Sequence, residues 1–361
     1  MKKLILSALA AAAFGSAHAQ SNTLSLSQAG DGNSAPVVQR GSSNELSLSQ
    51  SGNRNGDIYN PILQVGTGHS ATITIQGDGN GLYFNQTGMR NKGTISTTGD
   101  NNFTNLTFEN TSDNEAVITQ AGNNNVSANY LGLTARNNRV AVNQTGNSNI
   151  ATTWVRFATN SQVTLNQIGD ANSGEASSFY YGDNNRVALT QTGNGNRGHA
   201  ESYRGDDNQV TYTQTGNNNQ GQALNDNGSN NQVILSQTGD ANEGYAASYY
   251  GSDNQITLIQ NGNANKGRLS QSGGANEAAL TQTGNDNSAS LVQALSSNTA
   301  TILQEGNNNK LMGLETSYTS PAFQYGYGNS LTLGQTGDGN VLRFEQSGNN
   351  NTAAITQGPQ N

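Results

Sequence analysis

The chain has 361 residues, a formal charge of −8, no cysteine, and only 32% hydrophobic residues beside 44 glycines. No disulfide or thiolate metal cage is possible, and beyond Lys2 and Lys3 the basic residues are scattered singly, which offers nucleic acid no patch to bind. Such a polar composition suits a disordered tract, yet the few Leu, Val and Ile residues recur at fixed intervals, and disorder gives no reason for that.

In chain order, the first element reads as a secretory signal over 1–19. Lys2 and Lys3 precede an apolar run from Leu4 to Phe14 and the small-residue site Ala17-His18-Ala19, so cleavage is expected between Ala19 and Gln20. The run is shorter than the about 20 residues a spanning helix needs, and no later stretch is as apolar. The mature chain is therefore expected outside the cytoplasm, secreted through the periplasm, with a charge of −10 and no membrane span after cleavage.

From residue 20 to 361 the sequence reads as one repeat domain. The pattern Q-x-G-x-x-N occurs intact seventeen times, the first headed by Gln28 and the last by Gln346. Degenerate copies headed by Gln64, Gln76, Thr97, Glu109, Leu133, Arg156, Tyr180, Tyr203, Asp226, Tyr249, Gln293 and Gln357 bring the total to 29 units, mostly 11 to 13 residues apart. The wider gap between Gln304 and Gln324, with Pro321 inside it, predicts an irregular insertion at about 310–323.

Within a unit, residues alternate apolar and polar from the Asn to the next Gln, as in Asn254, Ile256, Leu258 and Gln260. A period of two means strand. Each unit is then one strand of about seven residues plus a short loop, whose glycine supplies the positive φ of a tight reversal. Joined as hairpins, the strands would form one sheet far beyond the about 10 strands that open sheets tolerate. Joined as β-arches, they form two facing sheets, and every second unit stacks in parallel register.

The side-chain volumes favour the arch. Units with bulky inward residues (Val187 and Leu189, Val210 and Tyr212, Val233 and Leu235) alternate with units whose inward residues are small (Gly174 and Ala176, Gly198 and Ala200, Gly221 and Ala223). Large facing small fills a thin core at native density. The expected fold is all-β: a β-solenoid of stacked arches with two strands per coil, about 14 coils and two facing parallel in-register sheets, near 70 Å long at about 4.8 Å per layer.

Stacking also accounts for the amides, because each buried Asn or Gln can donate to the copy above and accept from the copy below. The positions expected to form the amide ladder and arc are Gln28, Gly30 and Asn33; Gln50, Gly52 and Asn55; Gln144, Gly146 and Asn149; Gln191, Gly193 and Asn196; Gln237, Gly239 and Asn242; Gln282, Gly284 and Asn287; and Gln346, Gly348 and Asn351. The first and last units are ordinary repeats, which predicts uncapped, sticky ends at Leu24, Leu26 and Gln28 and at Ala353, Ile355 and Gln357. Head-to-tail addition to such ends does not close, so the chain is expected to form a homopolymer.

Tandem Q-x-G-x-x-N units with alternating apolar residues resemble the curlin repeats of curli fibre subunits. The resemblance covers nearly the whole mature chain, and it implies an extracellular amyloid of the biofilm matrix and cell-surface fimbrium. It also implies partners: a dedicated outer-membrane secretion pore, a periplasmic chaperone and a minor nucleating subunit.

Other readings rank below this one. Gly193 to Gly198 satisfies G-x-G-x-x-G, but no helix pattern follows it. His69 and His199 read as surface decoration, and the isolated carboxylates as solvated charge, so neither an enzyme nor a cofactor is implied. Asp31, Asp78, Asp170, Asp240 and Asp338 read as loop gatekeepers against premature pairing. Clustered tyrosines at 180–181, 203 and 249–250 read as an aromatic ladder near the arcs, in or beside the Gln slot. A monomeric solenoid adhesin or ice-binding protein would need a cap or a long regular threonine array, and neither is visible in the sequence.

Overall fold

The computed structural model describes residues 21–56, 60–314 and 320–358. The expected cleavage site at Ala19 and Gln20 lies outside the described residues. Strands are mostly seven residues long, as in Glu45–Ser51, and the second, fourth and sixth residues are buried. Two-residue periodicity is thus expressed directly as one inward and one outward face.

Consecutive strands fall in opposite sheets. The first sheet runs through fifteen strands from Thr23–Ala29 to Thr352–Gln357. The second holds sixteen strands in fourteen positions, because Lys310–Met312 and Ala322–Tyr325 share one rung and Val341–Arg343 and Glu345–Ser347 share the next. Pairing is parallel and in register, with Leu24 on Leu46, Leu26 on Leu48 and Gln28 on Gln50. The fold is the expected β-solenoid of arches, about fourteen coils long, and among the described residues no helix is long and apolar enough to cross a membrane.

The volume alternation sorts by sheet. Val187, Leu189, Val210, Tyr212, Val233 and Leu235 sit fully buried in the first sheet, against Ala176, Ala200 and Ala223 in the second. The opposing glycines leave no room for a methyl group: a Cβ on Gly198 would lie 2.9 Å from Leu189 Cδ1, and one on Gly244 would lie 2.7 Å from Leu235 Cδ1. Nearer the start the bulk changes sides, with Phe84 of the second sheet pressed on Gly93 of the first, where a Cβ would lie 2.7 Å from Phe84 Cε2.

The arches need two positive-φ residues. The glycine two places after the Gln has φ near +110 (Gly146 at 115, Gly193 at 108), and the residue just before the Asn has φ near +57 (Ser148 at 58, Asn218 at 55). At the first site a Cβ would strike the next layer's carbonyl, 2.1 Å from Gly216 O in the case of Gly193. Near the C-terminal end one rung is divided between Lys310–Met312 and Ala322–Tyr325, and 315–319, within the insertion expected at about 310–323, lie outside the described residues.

Candidate assembly site

The arches bring the amides of successive coils into columns. In the first sheet each Gln Nε2 donates to the Oε1 of the next coil, unbroken from Gln120 through Gln144 (2.9 Å), Gln191 (2.8 Å to Gln214), Gln237 and Gln282 to Gln335, which donates to Gln357 at 2.8 Å. The second hydrogen of Nε2 goes to the facing sheet, as from Gln144 to Val126 O at 3.0 Å. Gln28 donates to Gln50 at 2.7 Å, and Gln324 to Gln346 at 2.9 Å.

Asparagines form columns of the opposite sense. Asn149 Nδ2 and its backbone N–H both donate back to Asn125 Oδ1, while Nδ2 also donates forward to Gly169 O at 2.7 Å. The same pattern places Asn55 on Asn33, Asn196 on Asn172, Asn242 on Asn219, Asn287 on Asn265 and Asn351 on Asn329. The arch glycines Gly52, Gly77, Gly239, Gly306 and Gly348 present the carbonyls that receive these Nδ2 groups. The glutamines and asparagines of these columns therefore bind backbone as well as one another, which offsets the cost of their burial.

A third column escaped the sequence reading. The residue three places after the Gln is Asn or Asp along this side, and its Oδ1 accepts the backbone N–H of the coil before: Asn53 to Asp78, Asn147 to Asp170 and Asn217 to Asp240, each 2.7 Å. Of the loop aspartates read as gatekeepers, Asp78, Asp170, Asp240 and Asp338 are thus hydrogen-bond acceptors, while Asp31, in the first coil, donates its own N–H to Asn53 at 2.9 Å. The signal was present in the sequence as a position restricted to two residue types sharing an Oδ1.

Several degenerate units were headed one or two residues too late. In the second sheet the Gln position passes from Gln86 to Phe108, Leu131, Val155, Ser178, Ser202, Asn225 and Ser248 before returning to Gln271. In the first sheet Ile75, rather than Gln76, lies between Gln50 and Thr97. The preceding Asn fixes the register, because six residues separate it from the inward slot in intact and degenerate units alike (Asn138 to Gln144, Asn196 to Ser202). Tyr203 and Tyr249 accordingly point outward beside the slot.

Those second-sheet arches are one or two residues longer, and they carry rings. Phe157 stacks on Tyr181 at 5.0 Å, Tyr180 meets Tyr203 edge-on at 5.1 Å, and the Arg156 guanidinium lies 4.5 Å from the Trp154 ring and 4.7 Å from Tyr130. Burial, with the Glu109 carboxylate, pushes Tyr130 up to about 12.

One expectation is overturned here. His69 is no surface residue: it is 1% exposed in the asparagine column, where Nδ1 accepts the Asn91 N–H at 3.3 Å and burial lowers its pKa. His199 is half-buried against Glu201 at 3.0 Å. The register also stacks a short patch of threonines that the linear sequence separates, three rungs deep and not a long regular array. On the outer face of the first sheet Thr190, Thr213 and Ser236 form one column and Thr192, Thr215 and Thr238 the next, until Ile259 and Asn261 interrupt them.

With the columns and arches placed, the curlin associated repeat family matches residues 19–52, 158–193, 228–262, 262–294 and 323–358. The chain is a curlin-repeat protein. No curated protein matches it. Curlin repeats on a β-solenoid fit a structural subunit of the curli type, and the repeat family is structural rather than enzymatic.

Proposed function

We propose that this curlin-repeat chain is exported and assembles head to tail into extracellular amyloid fibres that serve biofilm matrix, adhesion and cell aggregation. One comparison carries the reading. Strands Thr23–Ala29 and Glu45–Ser51 share the run Leu-Ser-Leu-Ser-Gln, yet Leu24 is 41% exposed while Leu46, one layer in, is 0% exposed. At the opposite edge Ala353 and Ile355 are likewise only partly covered. Apolar side chains above an unpaired parallel strand edge are a template for another copy of the same repeat.

Amide polarity supports head-to-tail joining. Gln28 donates inward to Gln50, so its Oε1 is the acceptor left at one edge, while Gln346 and Gln357 are the last donors at the other. Donor meets acceptor only when unlike ends join, a heterologous contact that propagates as a filament. The secretion pore, the chaperone and a minor nucleator complete the proposal by family likeness.

The test is to purify the chain from Gln20 onward and follow it by thioflavin fluorescence, electron microscopy and fibre diffraction. Filaments with a meridional spacing of about 4.8 Å, whose growth slows for Leu24→Glu or Ile355→Lys, are expected. Persistent monomers overturn the reading. They would favour the second reading, a solenoid that binds a surface as a monomer; binding abolished by Thr213→Tyr in non-assembling protein is its signature.

A further inference from the structure

The rule that relates one strand to the next contains more information than the coil count. Gln271, in the second sheet, donates to the first residue of the preceding first-sheet strand, Gln255 O, at 3.1 Å across 16 residues. Gln282, in the first sheet, donates to the first residue of the preceding second-sheet strand, Lys266 O, at 3.0 Å across 16 residues. Gln293 and Gln304 repeat both bonds at the same separation.

The asparagines agree. Asn254 of the first sheet reaches Gly273 O and Asn265 of the second reaches Gly284 O, each across 19 residues at 2.7 and 2.8 Å. The elementary step of the rod is therefore a single strand: a half turn about the axis with a rise of half a layer, the same from either sheet. It holds at both edges, where Gln39 donates to Thr23 O and Gln357 to Val341 O, again across 16 residues.

Among the described strands the first sheet has fifteen positions and the second fourteen, so the lowest strand, Thr23–Ala29, and the highest, Thr352–Gln357, lie in the same sheet. If a second copy stacked with its first sheet on the first sheet, one second-sheet position at the junction would stay empty. The backbone N–H and C=O groups of two strands would face that gap unpaired, at a cost that seven-residue strands make prohibitive.

Resting on the fibre reading, we infer that each copy joins the next after a half turn about the fibre axis, so that its first sheet continues the second sheet of the copy below. Strand Thr23–Ala29 then seats on Val341–Arg343 and Glu345–Ser347, with Leu24 on Leu342, Leu26 on Phe344 and Gln28 on Gln346. Strand Val37–Ser42 seats on Thr352–Gln357, with Ala35 on Ala353, Val37 on Ile355 and Gln39 on Gln357. Both glutamine columns and both apolar columns run through the junction. The spare hydrogen of Gln28 Nε2 finds Thr352 O, as Gln39 finds Thr23 O within the chain.

The native chain has no cysteine, so introduced pairs report the junction cleanly. In-register Cα atoms about 4.8 Å apart lie within disulfide range, and Ser27, Glu345 and Thr356 all point outward. Filaments of the mature chain carrying S27C with E345C are expected to give a covalent ladder on oxidation, and those carrying S27C with T356C are expected to stay monomeric on a denaturing gel. A ladder from the second pair, from both pairs, or from neither in intact filaments overturns the half turn and leaves the fibre reading standing. Failure of the unmodified chain to form filaments overturns both. Image reconstruction of unmodified filaments is an independent check: beyond the twist of the rod, the ring-bearing arches are expected on alternate sides, so one edge repeats every two copies, about 140 Å. Rings on one side in every copy overturn the inference.

Discussion

The stretch Gln255–Glu305 and the stretch from Val126 to Tyr250 build the same coil by different means. In the former, coils are 22 residues long and both sheets hold glutamine columns, Gln260 on Gln282 on Gln304 and Gln271 on Gln293. In the latter, coils take 23 or 24 residues, and only the first sheet keeps its glutamines. The facing slots hold Leu131, Val155, Ser178, Ser202, Asn225 and Ser248, whose arches place Phe157, Tyr180, Arg204 and Tyr250 at positive φ where glycine would be easier. One glutamine column with tight glycine arches is enough to hold register. The other side is then free to lengthen its turns and present rings and guanidinium groups to the surroundings.

If that division of labour is right, equivalent changes on the two sides have unequal effects. The largest is expected for Gly193→Ala, which puts a methyl group against a backbone carbonyl at a φ that alanine resists. Loss of at least ~3 kcal/mol at the flanking coils should be visible as faster hydrogen exchange there, whereas Tyr180→Ala on the far side should cost under ~1 kcal/mol. Equal effects would erase the distinction.

Next in size is Gln167→Ala, which strands the amides of Gln144 and Gln191 and is expected to cost ~2 kcal/mol. Ser202→Ala, in a slot whose Oγ is buried without a partner, is expected to be neutral or to stabilise by up to ~1 kcal/mol. A guanidinium titration of freshly diluted protein ranks the two, and a reversed order would show that both sides depend on amides.

A smaller, local effect concerns acidity. Burial lowers the His69 pKa below its usual 6.5, so the unfolded chain binds the proton first, and the contribution of this residue is intact above pH 6.5 and lost as the pH falls below it. Protection factors of amides near Asn91, which allow for the intrinsic slowing of exchange in acid, should fall on acidification, and His69→Asn, which restores the column, should abolish that dependence. The smallest change is expected for Asp170→Asn, because Asn offers the same Oδ1 to the Asn147 N–H; an altered polymerisation lag would return the loop aspartates to a gatekeeping role.

Much of this architecture was legible because each feature had its own sequence mark: period two for strands, Gln and Asn for columns, large against small residues for facing sheets. Legibility failed where a mark was missing. Without a glutamine, the unit Arg197–Tyr203 was headed from its glycine instead: Gly205 stands two places after Tyr203, but the arch is one residue longer and Ser202 turns inward, where facing Tyr212 already fills the core. Counting from Asn196 would have decided it. The threonine columns were invisible for another reason: their members are 23 residues apart, and only register makes them neighbours.

All glutamine amides of a column point one way and the asparagine columns the other, so the rod has a direction as an arrow does: its tip offers glutamine hydrogens and asparagine oxygens, and its tail the reverse. Arrival of a subunit at one extremity is chemically a different event from arrival at the other. A fibre rooted on a cell by its tail would thus grow only outward, and its rate would belong to the tip alone.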